Sequence, residues 1–284
     1  MNTAYRLPIA FLTLFCSICL VVPSAVESAA PEDGLTFYLP CDGDVVAARA
    51  AGRTRPVEVQ RPVEFQEGKV GQALLVGDGA AALRFASEGN VSWAEGSVAL
   101  WVKGLDWAPS RGTSHPHIFL ESQQGGAWFL FYKLIGHNHL MMRFQTGEHA
   151  AGGVGAAIGV GDLPAWQRGE WHHLCGTWTD DGLAKVYVDG KLVNTSRNVP
   201  VMSSAGETFW VGDRTWNQDR LGPPREDQSL LDELRVYDHA ISPDTVRLLA
   251  QGPRPRFRRL PDGQSVRVTA DLGLFAGVLQ HPVA

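Results

Sequence analysis

Cysteine is scarce in this chain, with four residues in 284, and two of them, Cys16 and Cys19, lie in the first twenty positions. A disulfide-dense scaffold is therefore excluded, and the hydrophobic residues, 44% of the sequence, must supply the core. An excess of one charge is also lacking, because 25 Lys and Arg stand against 30 Asp and Glu, for a formal net charge of −5. This balance does not favour nucleic acid or an anionic membrane as a partner.

Long apolar runs are absent except near the N-terminus, where one extends over residues 7–22. Arg6 precedes it, and the small residues Ser28, Ala29 and Ala30 follow it, which is the pattern of a secretory signal peptide. The run contains Pro8 and is short for a span of roughly 20 residues. We therefore expect cleavage after Ala30, export to the periplasm, the cell surface or the medium, and no membrane span in the mature chain.

Signal cleavage would leave Cys41 and Cys175 as the cysteines of the mature chain. One alternative in an oxidising compartment is a single disulfide between them, and the other is two isolated buried thiols. Two tripeptides, Asn90-Val91-Ser92 and Asn194-Thr195-Ser196, also match the N-glycosylation pattern of exported proteins.

Short apolar runs separated by turn residues recur from Leu35 to Tyr237 without a helical period, which predicts an all-β fold. The predicted strands are Leu35–Leu39, Gln72–Val76, Ala82–Phe85, Ser97–Lys103, His117–Glu121, Trp128–Leu134, Leu140–Gln145, Trp171–Trp178, Lys185–Asp189, Lys191–Asn194, Thr208–Gly212 and Leu230–Tyr237. Asp189-Gly190 fits a type I′ hairpin turn, whose two central residues need positive φ. The polar segment from Arg49 to Arg61 is predicted to be a long loop.

One short helix is predicted after the last of these strands. Ser242 can cap its N-terminus, Pro243 suits its first position, and Val246 and Leu249 would face a sheet. Many short strands with a single late helix favour a two-sheet antiparallel sandwich, since parallel sheets need regular crossover helices.

The composition changes after Gly252. Pro253, Pro255 and the arginines from Arg254 to Arg259 suggest a solvated linker, and Ser265–Ala270 alternates like a strand. Residues 252–284 are too few for a core of their own. They either add strands to the sandwich or begin a second domain that is cut short.

Four segments in order resemble the laminin-G-like jelly rolls, which are related to concanavalin A and the pentraxins. They are Leu35–Asp44, Gly68–Phe85, the set formed by Ser97–Lys103, Gly169–Thr179 and Ala184–Leu192, and Leu230–Ile241. The resemblance covers roughly residues 34–251 and implies a jelly-roll domain over residues 31–251. It also implies a structural calcium held by Asp42 and Asp232, with Asp44 or Asp213 adding a ligand, since Ca²⁺ prefers several oxygen ligands. The alternative is that Asp42 is a turn residue and Asp232 a hydrogen-bonded strand acid.

Nine tryptophans suggest contacts with sugar rings. Trp101, Trp171 and Trp178 lie within predicted strands and are expected in the core, whereas Trp107, Trp128, Trp166 and Trp216 lie near loops or strand ends. Trp216, with Asn217 and Asp219 as hydrogen-bonding neighbours, is the predicted ligand contact. The alternative is that Trp216 folds back over the sheet edge.

Catalytic motifs are missing. Retaining glycosidases of this fold carry Glu-x-Asp-x-x-Glu on one strand, which does not occur here, and the adjacent Asp232 and Glu233 are expected on opposite faces of theirs. We therefore expect a secreted, non-catalytic module that binds carbohydrate or an extracellular protein. The alternatives are a structural or adhesive domain of a surface assembly and a glycoside hydrolase with dispersed acids.

Overall fold

The fold is a two-layer β-structure, seen in a computed structural model that describes residues 31–108, 116–133, 139–146, 151–157, 166–214, 227–251, 256–259 and 265–268. The strands are β1 Leu35–Leu39, β2 Arg49–Ala50, β3 Glu58–Gln60, β4 Phe65–Glu67, β5 Gln72–Val76, β6 Ala82–Ala86, β7 Gly96–Gly104, β8 His117–Gln124, β9 Ala127–Lys133, β10 His139–Gln145, β11 Ala151–Ala157, β12 Trp171–Trp178, β13 Ala184–Val188, β14 Lys191–Ser196, β15 Thr208–Val211, β16 Ser229–Tyr237, β17 Arg256–Arg259 and β18 Ser265–Val268. The helix, α1, is Pro243–Gln251. The predicted signal peptide, residues 1–30, lies outside the described residues. Within them, no helix has the length and apolar character needed to cross a membrane.

Two antiparallel sheets form the sandwich. Sheet A has the strand order β14-β13-β12-β7-β16-β1-β2, and β5, which pairs with β4, also pairs with β16. Sheet B has the order β11-β10-β9-β8-β15-β6-β3. The predicted sandwich is confirmed, and each predicted strand that lies in the described residues is present within a few residues of its expected bounds.

The core lies between the two sheets because side chains alternate along each strand. Leu100 of β7 and Leu174 of β12 point inward from sheet A, and Phe131 and Met142 point inward from sheet B. A Cβ atom on Gly176 would lie 2.5 Å from the Met142 sulfur, so this glycine lets the two sheets approach closely.

Helix α1 covers part of the outer face of sheet A. The Ser242 hydroxyl accepts a hydrogen bond from the Thr245 backbone N–H at 3.1 Å, which confirms the predicted cap. Val246 and Leu249 are buried in a cluster with Cys175 and Tyr187, whose side chains leave the opposite side of sheet A from the core.

The predicted hairpin turn between β13 and β14 is confirmed. Asp189 has φ 50° and Gly190 φ 78°, the pair of positive values that a type I′ turn requires. The Asp189 carboxylate accepts the His173 N–H at 2.9 Å and contacts the His172 ring nitrogen at 2.8 Å. Burial would raise the pKa of Asp189, but these hydrogen bonds and the two histidines lower it overall.

Strand β16 contains a bulge between the residues that pair with β5 and the residues that pair with β1. Leu231 pairs with Leu74 of β5, whereas Leu234 pairs with Leu39 of β1, so the two neighbours follow one another along the same edge of β16. The register against β7 shifts between Asp232 and Arg235. Glu233 has φ 58°, a conformation that side chains other than glycine seldom adopt.

Five strands were not predicted: β2, β3, β4, β11 and β17. Strands β2 and β3 lie in the segment Arg49–Arg61, which is therefore not one long loop. Each is short and at a sheet edge, where a polar strand needs one partner only.

Strand β11 is rich in alanine and glycine, which are weak strand formers. A Cβ on Gly152 would lie 2.8 Å from the Pro200 Cδ, so close packing explains that glycine. Strand β17 lies within the segment that was predicted to be an arginine-rich linker, and it pairs with β18.

The two cysteines are free thiols, so the disulfide alternative is wrong. Cys175 lies on β12 and Cys41 follows β1, and β7 and β16 separate these two strands in sheet A. Three strand spacings place them at least about 14 Å apart, whereas disulfide-linked Cα atoms lie within roughly 7 Å. Both thiols are buried, as the other alternative predicted.

The two glycosylation tripeptides differ in environment, and this gives a stability prediction. Asn90 is fully buried, and its amide donates to the carbonyls of Arg53 and Ala86 and accepts the Gly52 N–H. Asn194 is exposed on β14. We expect Asn90→Ala to lower the free energy of unfolding by about 2–4 kcal/mol, because it removes the three hydrogen bonds of a buried amide.

Urea denaturation measures this change, with Asn194→Ala as the matched control, which should stay within about 0.5 kcal/mol of the wild type. Equal losses in the two variants would contradict the assigned role of Asn90.

Candidate functional site

The two acids predicted to hold calcium meet at the hairpin between β4 and β5. The Asp42 Oδ1 accepts the Gln72 N–H at 2.9 Å, and the Asp232 Oδ2 accepts the Val70 N–H at 2.9 Å. A Cβ on Gly68 would lie 2.9 Å from the same Asp232 oxygen, so glycine is needed for this approach. The fold therefore brings together two residues that are far apart in sequence.

The electrostatics around Cys41 also show that these acids share one environment. Burial raises the pKa of the Cys41 thiol well above its usual value, and the charge of Asp232 adds to this increase. Glu233 and Asp42 raise the same pKa further. Asp232 is completely buried, whereas Asp42 is exposed, so the region is a negatively charged edge with one buried and one solvent-facing carboxylate.

The other two predicted ligands lie differently. The Asp44 carboxylate accepts the Val46 N–H at 2.5 Å and lines a shallow surface pocket of about 430 Å³ with Arg55 and Phe65. Asp213 is buried after β15 in sheet B, and its carbonyl accepts a hydrogen bond from Arg61.

Strand β5 separates Asp213 from the paired acids. Gly212 packs on Val76, the last residue of β5, whereas Asp42 binds Gln72, its first residue. Four residues of strand span about 13 Å. The structure therefore brings Asp213 to neither Asp42 nor Asp232.

The prediction that Asp232 and Glu233 point to opposite faces is wrong, because the bulge in β16 places both carboxylates on the outer face of sheet A. Asp232 pairs with the outward-facing Trp101. The Glu233 carboxylate accepts the Tyr38 hydroxyl at 2.9 Å and forms an ion pair with Arg235 at 2.7 Å. Both acids are nevertheless buried, and Glu233 is engaged by a buried guanidinium that also lies 4.5 Å from the centre of the Tyr38 ring.

The outer face of sheet B carries a second group of polar and aromatic side chains, which we name the aromatic face. It consists of Gln123 on β8, Trp128, Leu130 and Tyr132 on β9, and Met141, Arg143 and Gln145 on β10. These residues alternate with the core residues Phe129, Phe131, Met142 and Phe144. The Arg143 guanidinium lies 4.5 Å from the centre of the Trp128 ring and hydrogen-bonds Tyr132. Trp128 and Arg143 are partly exposed and Gln123 is exposed.

Rows of side chains that pair across neighbouring strands continue the aromatic face from β9 through β8, β15 and β6 to β3, at the other edge of sheet B. Leu130 pairs with Glu121, which pairs with Trp210. Arg214 forms an ion pair with Glu121 at 2.7 Å. At the edge, Arg84 forms an ion pair with Glu58 at 2.7 Å. Positive and negative groups along these rows therefore compensate one another.

The tryptophan predictions had mixed outcomes. Trp178 is buried in the core as expected, whereas Trp101 is buried on the outer face of sheet A and Trp171 is only partly buried. Trp107 and Trp166, which were placed near loops, are also buried, with ring centroids 5.6 Å apart. The predicted ligand contacts Trp216, Asn217 and Asp219 lie outside the described residues.

The aromatic face was not predicted from the sequence. Trp128 and Arg143 lie on different strands, and their contact depends on the register of β9 against β10. The alternation of the two strands was a usable signal, because it separates Trp128 and Tyr132 from the apolar Phe129 and Phe131.

Family membership follows from the sequence profile of the concanavalin A-like lectin/glucanases superfamily, which matches residues 77–247. The chain belongs to this superfamily. The match extends from the end of β5 into α1 and so includes most strands of both sheets of this concanavalin A-like sandwich.

Solved structures share the architecture. Domain 4 of AbnA, a GH43 extracellular arabinanase from Geobacillus stearothermophilus, in complex with arabinotriose, is 27% identical with a TM-score of 0.56, covering 76% of this chain and 98% of that one. The botulinum neurotoxin serotype D binding domain is 10% identical with a TM-score of 0.59, covering 77% of this chain and 52% of that one. The second likeness concerns the fold alone.

A curated relative matches a shorter segment. The mouse (Mus musculus) protein "Sushi, von Willebrand factor type A, EGF and pentraxin domain-containing protein 1" is 31% identical over 98 residues, or 32% of this chain. The matched segment spans about 3% of that relative's length.

The buried ion pair in the bulge gives a further stability prediction. Arg235→Met removes the guanidinium that compensates the buried Glu233 carboxylate, and breaking such a pair typically costs about 3–5 kcal/mol. We expect a loss of that order in the free energy of unfolding, measured by urea denaturation. The double variant Glu233→Gln, Arg235→Met should recover a large part of it, because the Glu233 charge that the guanidinium compensates is then absent as well. A double variant no more stable than Arg235→Met would contradict this account.

Proposed function

We propose that this concanavalin A-like domain is a non-catalytic glycan-recognition module and that the aromatic face is its binding surface. The observation that carries the proposal is the partly exposed Trp128, flanked by Arg143, Gln145 and the exposed Gln123 on adjacent strands. Apolar faces of sugar rings pack on aromatic side chains, and amide and guanidinium groups hydrogen-bond sugar hydroxyls.

The position of these groups supports the proposal further. They stand on three consecutive antiparallel strands whose opposite faces are fixed in the core, so their spacing is set before a ligand binds. A preorganised surface loses less conformational entropy on binding. The 27%-identical AbnA domain was solved with arabinotriose, which makes an oligosaccharide a reasonable ligand class for this surface.

The acids near the aromatic face favour binding over catalysis. Glu121 and Glu58 are each in an ion pair with an arginine. They lie on β8 and β3, which β15 and β6 separate, so their backbones are about 14 Å apart. Paired acids of glycosidases are separated by roughly 5–9.5 Å. In the described part of the chain, the adjacent pair Asp232 and Glu233 is buried and does not face a substrate.

Replacing the central tryptophan tests the proposal. Trp128→Ala removes the ring that supports Arg143, and we expect glycan affinity to fall at least about fivefold, since one stacked aromatic contributes on the order of 1 kcal/mol or more. Isothermal titration calorimetry of residues 31–284 against an oligosaccharide panel that includes arabinotriose measures the change.

The matched control is Trp171→Ala, because Trp171 is also partly buried, lies 5.6 Å from a lysine ammonium, and faces outward from sheet A. It should bind glycan like the wild type. If Trp171→Ala loses affinity and Trp128→Ala does not, the binding surface lies on the other sheet.

We also propose that the edge around Asp42 and Asp232 holds a structural calcium in an exported protein. Both carboxylates already contact the β4–β5 hairpin, and Ca²⁺ would need further oxygen ligands, for which backbone carbonyls of that hairpin are the proposed source. The ion would neutralise the negative charge around Cys41 and fix the hairpin against β16. It would have no part in chemistry.

Thermal unfolding with excess calcium and then with a chelator tests the calcium proposal. We expect calcium to raise the melting temperature of the wild type, because an ion bound to the native state stabilises it by mass action. Asp232→Asn keeps an oxygen acceptor for Val70 but removes the charge, and should lose most of the calcium response. Asp180→Asn, at an exposed position, is the control. A full response in Asp232→Asn would refute the assignment.

A further inference from the structure

Arg143 differs from Arg84 and Arg214, two other arginines along sheet B. Arg84 forms an ion pair with Glu58, and Arg214 forms one with Glu121. The Arg143 guanidinium instead contacts the Trp128 ring and the Tyr132 hydroxyl, and no carboxylate lies in ion-pair range of it among the described residues. Among the described residues, Arg143 is therefore a positive charge of the aromatic face that no carboxylate pairs with.

The aromatic contacts hold this charge in a defined place. Stacking on an indole orients a guanidinium plane, and the hydrogen bond to Tyr132 fixes it further. Burial raises the pKa of Tyr132, and the contact with Arg143 opposes that increase. Because Arg143 is only partly buried, the remaining N–H groups of its planar fork can reach a ligand.

A fixed guanidinium fork matches the geometry of a carboxylate or a sulfate, which it can bind through two parallel hydrogen bonds. The formal net charge of −5 gives no general attraction for polyanions, so recognition must come from this local charge. The exposed amide of Gln123 and the partly exposed amide of Gln145 lie on either side of Trp128 in the same cross-strand row. These amides can hydrogen-bond the hydroxyls of the same sugar.

We propose that the aromatic face recognises an acidic glycan, in which the carboxylate of a uronic acid or a sulfate ester binds Arg143. This inference rests on the proposed function and specifies its ligand class. The shared chemistry is an oxyanion on a sugar ring.

Calorimetric titration with four probes separates the alternatives: oligogalacturonate, a sulfated galactan oligosaccharide, neutral arabinotriose and neutral galactan oligosaccharide. We expect one or both acidic probes to bind at least about tenfold more tightly than the neutral ones, with affinity that falls as salt is raised. A preference for oligogalacturonate assigns the carboxylate, and a preference for the sulfated probe assigns the sulfate.

Arg143→Gln should lower the affinity for the acidic probe about tenfold or more and the affinity for neutral probes by much less, because the glutamine amide can still hydrogen-bond a sugar hydroxyl but carries no charge for an oxyanion. Arg143→Lys keeps the charge and should retain part of the preference. Arg247→Gln, at an exposed position of α1, is the matched control and should bind like the wild type. Equal melting temperatures would show that the variants are folded.

The outcomes distinguish the two proposals. If neutral probes bind as tightly as acidic ones and Arg143→Gln has no effect, the acidic-glycan inference is overturned and the proposed glycan-recognition function stands. If the wild type binds none of the four probes, the proposed function fails together with this inference.

Discussion

Strand β16 is the element on which the rest of the sandwich depends. All nine of its residues are buried, and it hydrogen-bonds β7 along one edge and β5 and β1 in succession along the other. The bulge at Asp232 and Glu233 lies between the residues that pair with β5 and those that pair with β1, and the ion pair of Glu233 with Arg235 compensates the charge that it buries.

The polar groups beside this bulge are used within the fold. Asp232 reaches the β4–β5 hairpin, so the polar groups of this part of sheet A hold the fold together. Helix α1 covers another part of that outer face. In the described residues, the partly exposed side chains of β9 and β10 on sheet B are arranged differently, with an aromatic ring, a guanidinium and amides side by side. This division leads us to assign structural roles to sheet A and recognition to sheet B.

Much of the fold could be predicted from the sequence because local signals agree with tertiary structure. The alternation in β12, the Asp189-Gly190 turn and the Ser242 cap each depend on residues close in sequence. Strands β2, β3 and β11 escaped prediction because their polar or glycine-rich composition is offset by pairing and close packing. The bulge could not be read from the sequence either, since no local pattern marks where the pairing with β5 ends and the pairing with β1 begins.

The sites were less predictable than the fold. The approach of Asp42 to Asp232 was anticipated through the family resemblance, whereas the aromatic face depends on strand register that no local pattern reveals. Asp213 illustrates the limit, because its residue type suits calcium but β5 separates it from the other acids.

The most direct test of glycan recognition on sheet B is a nuclear magnetic resonance titration that follows the tryptophan indole N–H signals while an oligosaccharide is added. The signal of Trp128, assigned by its loss in Trp128→Phe, should shift in proportion to bound ligand, and that of Trp171 should remain in place. A shift of Trp171 with Trp128 unchanged would contradict the assignment of recognition to the aromatic face.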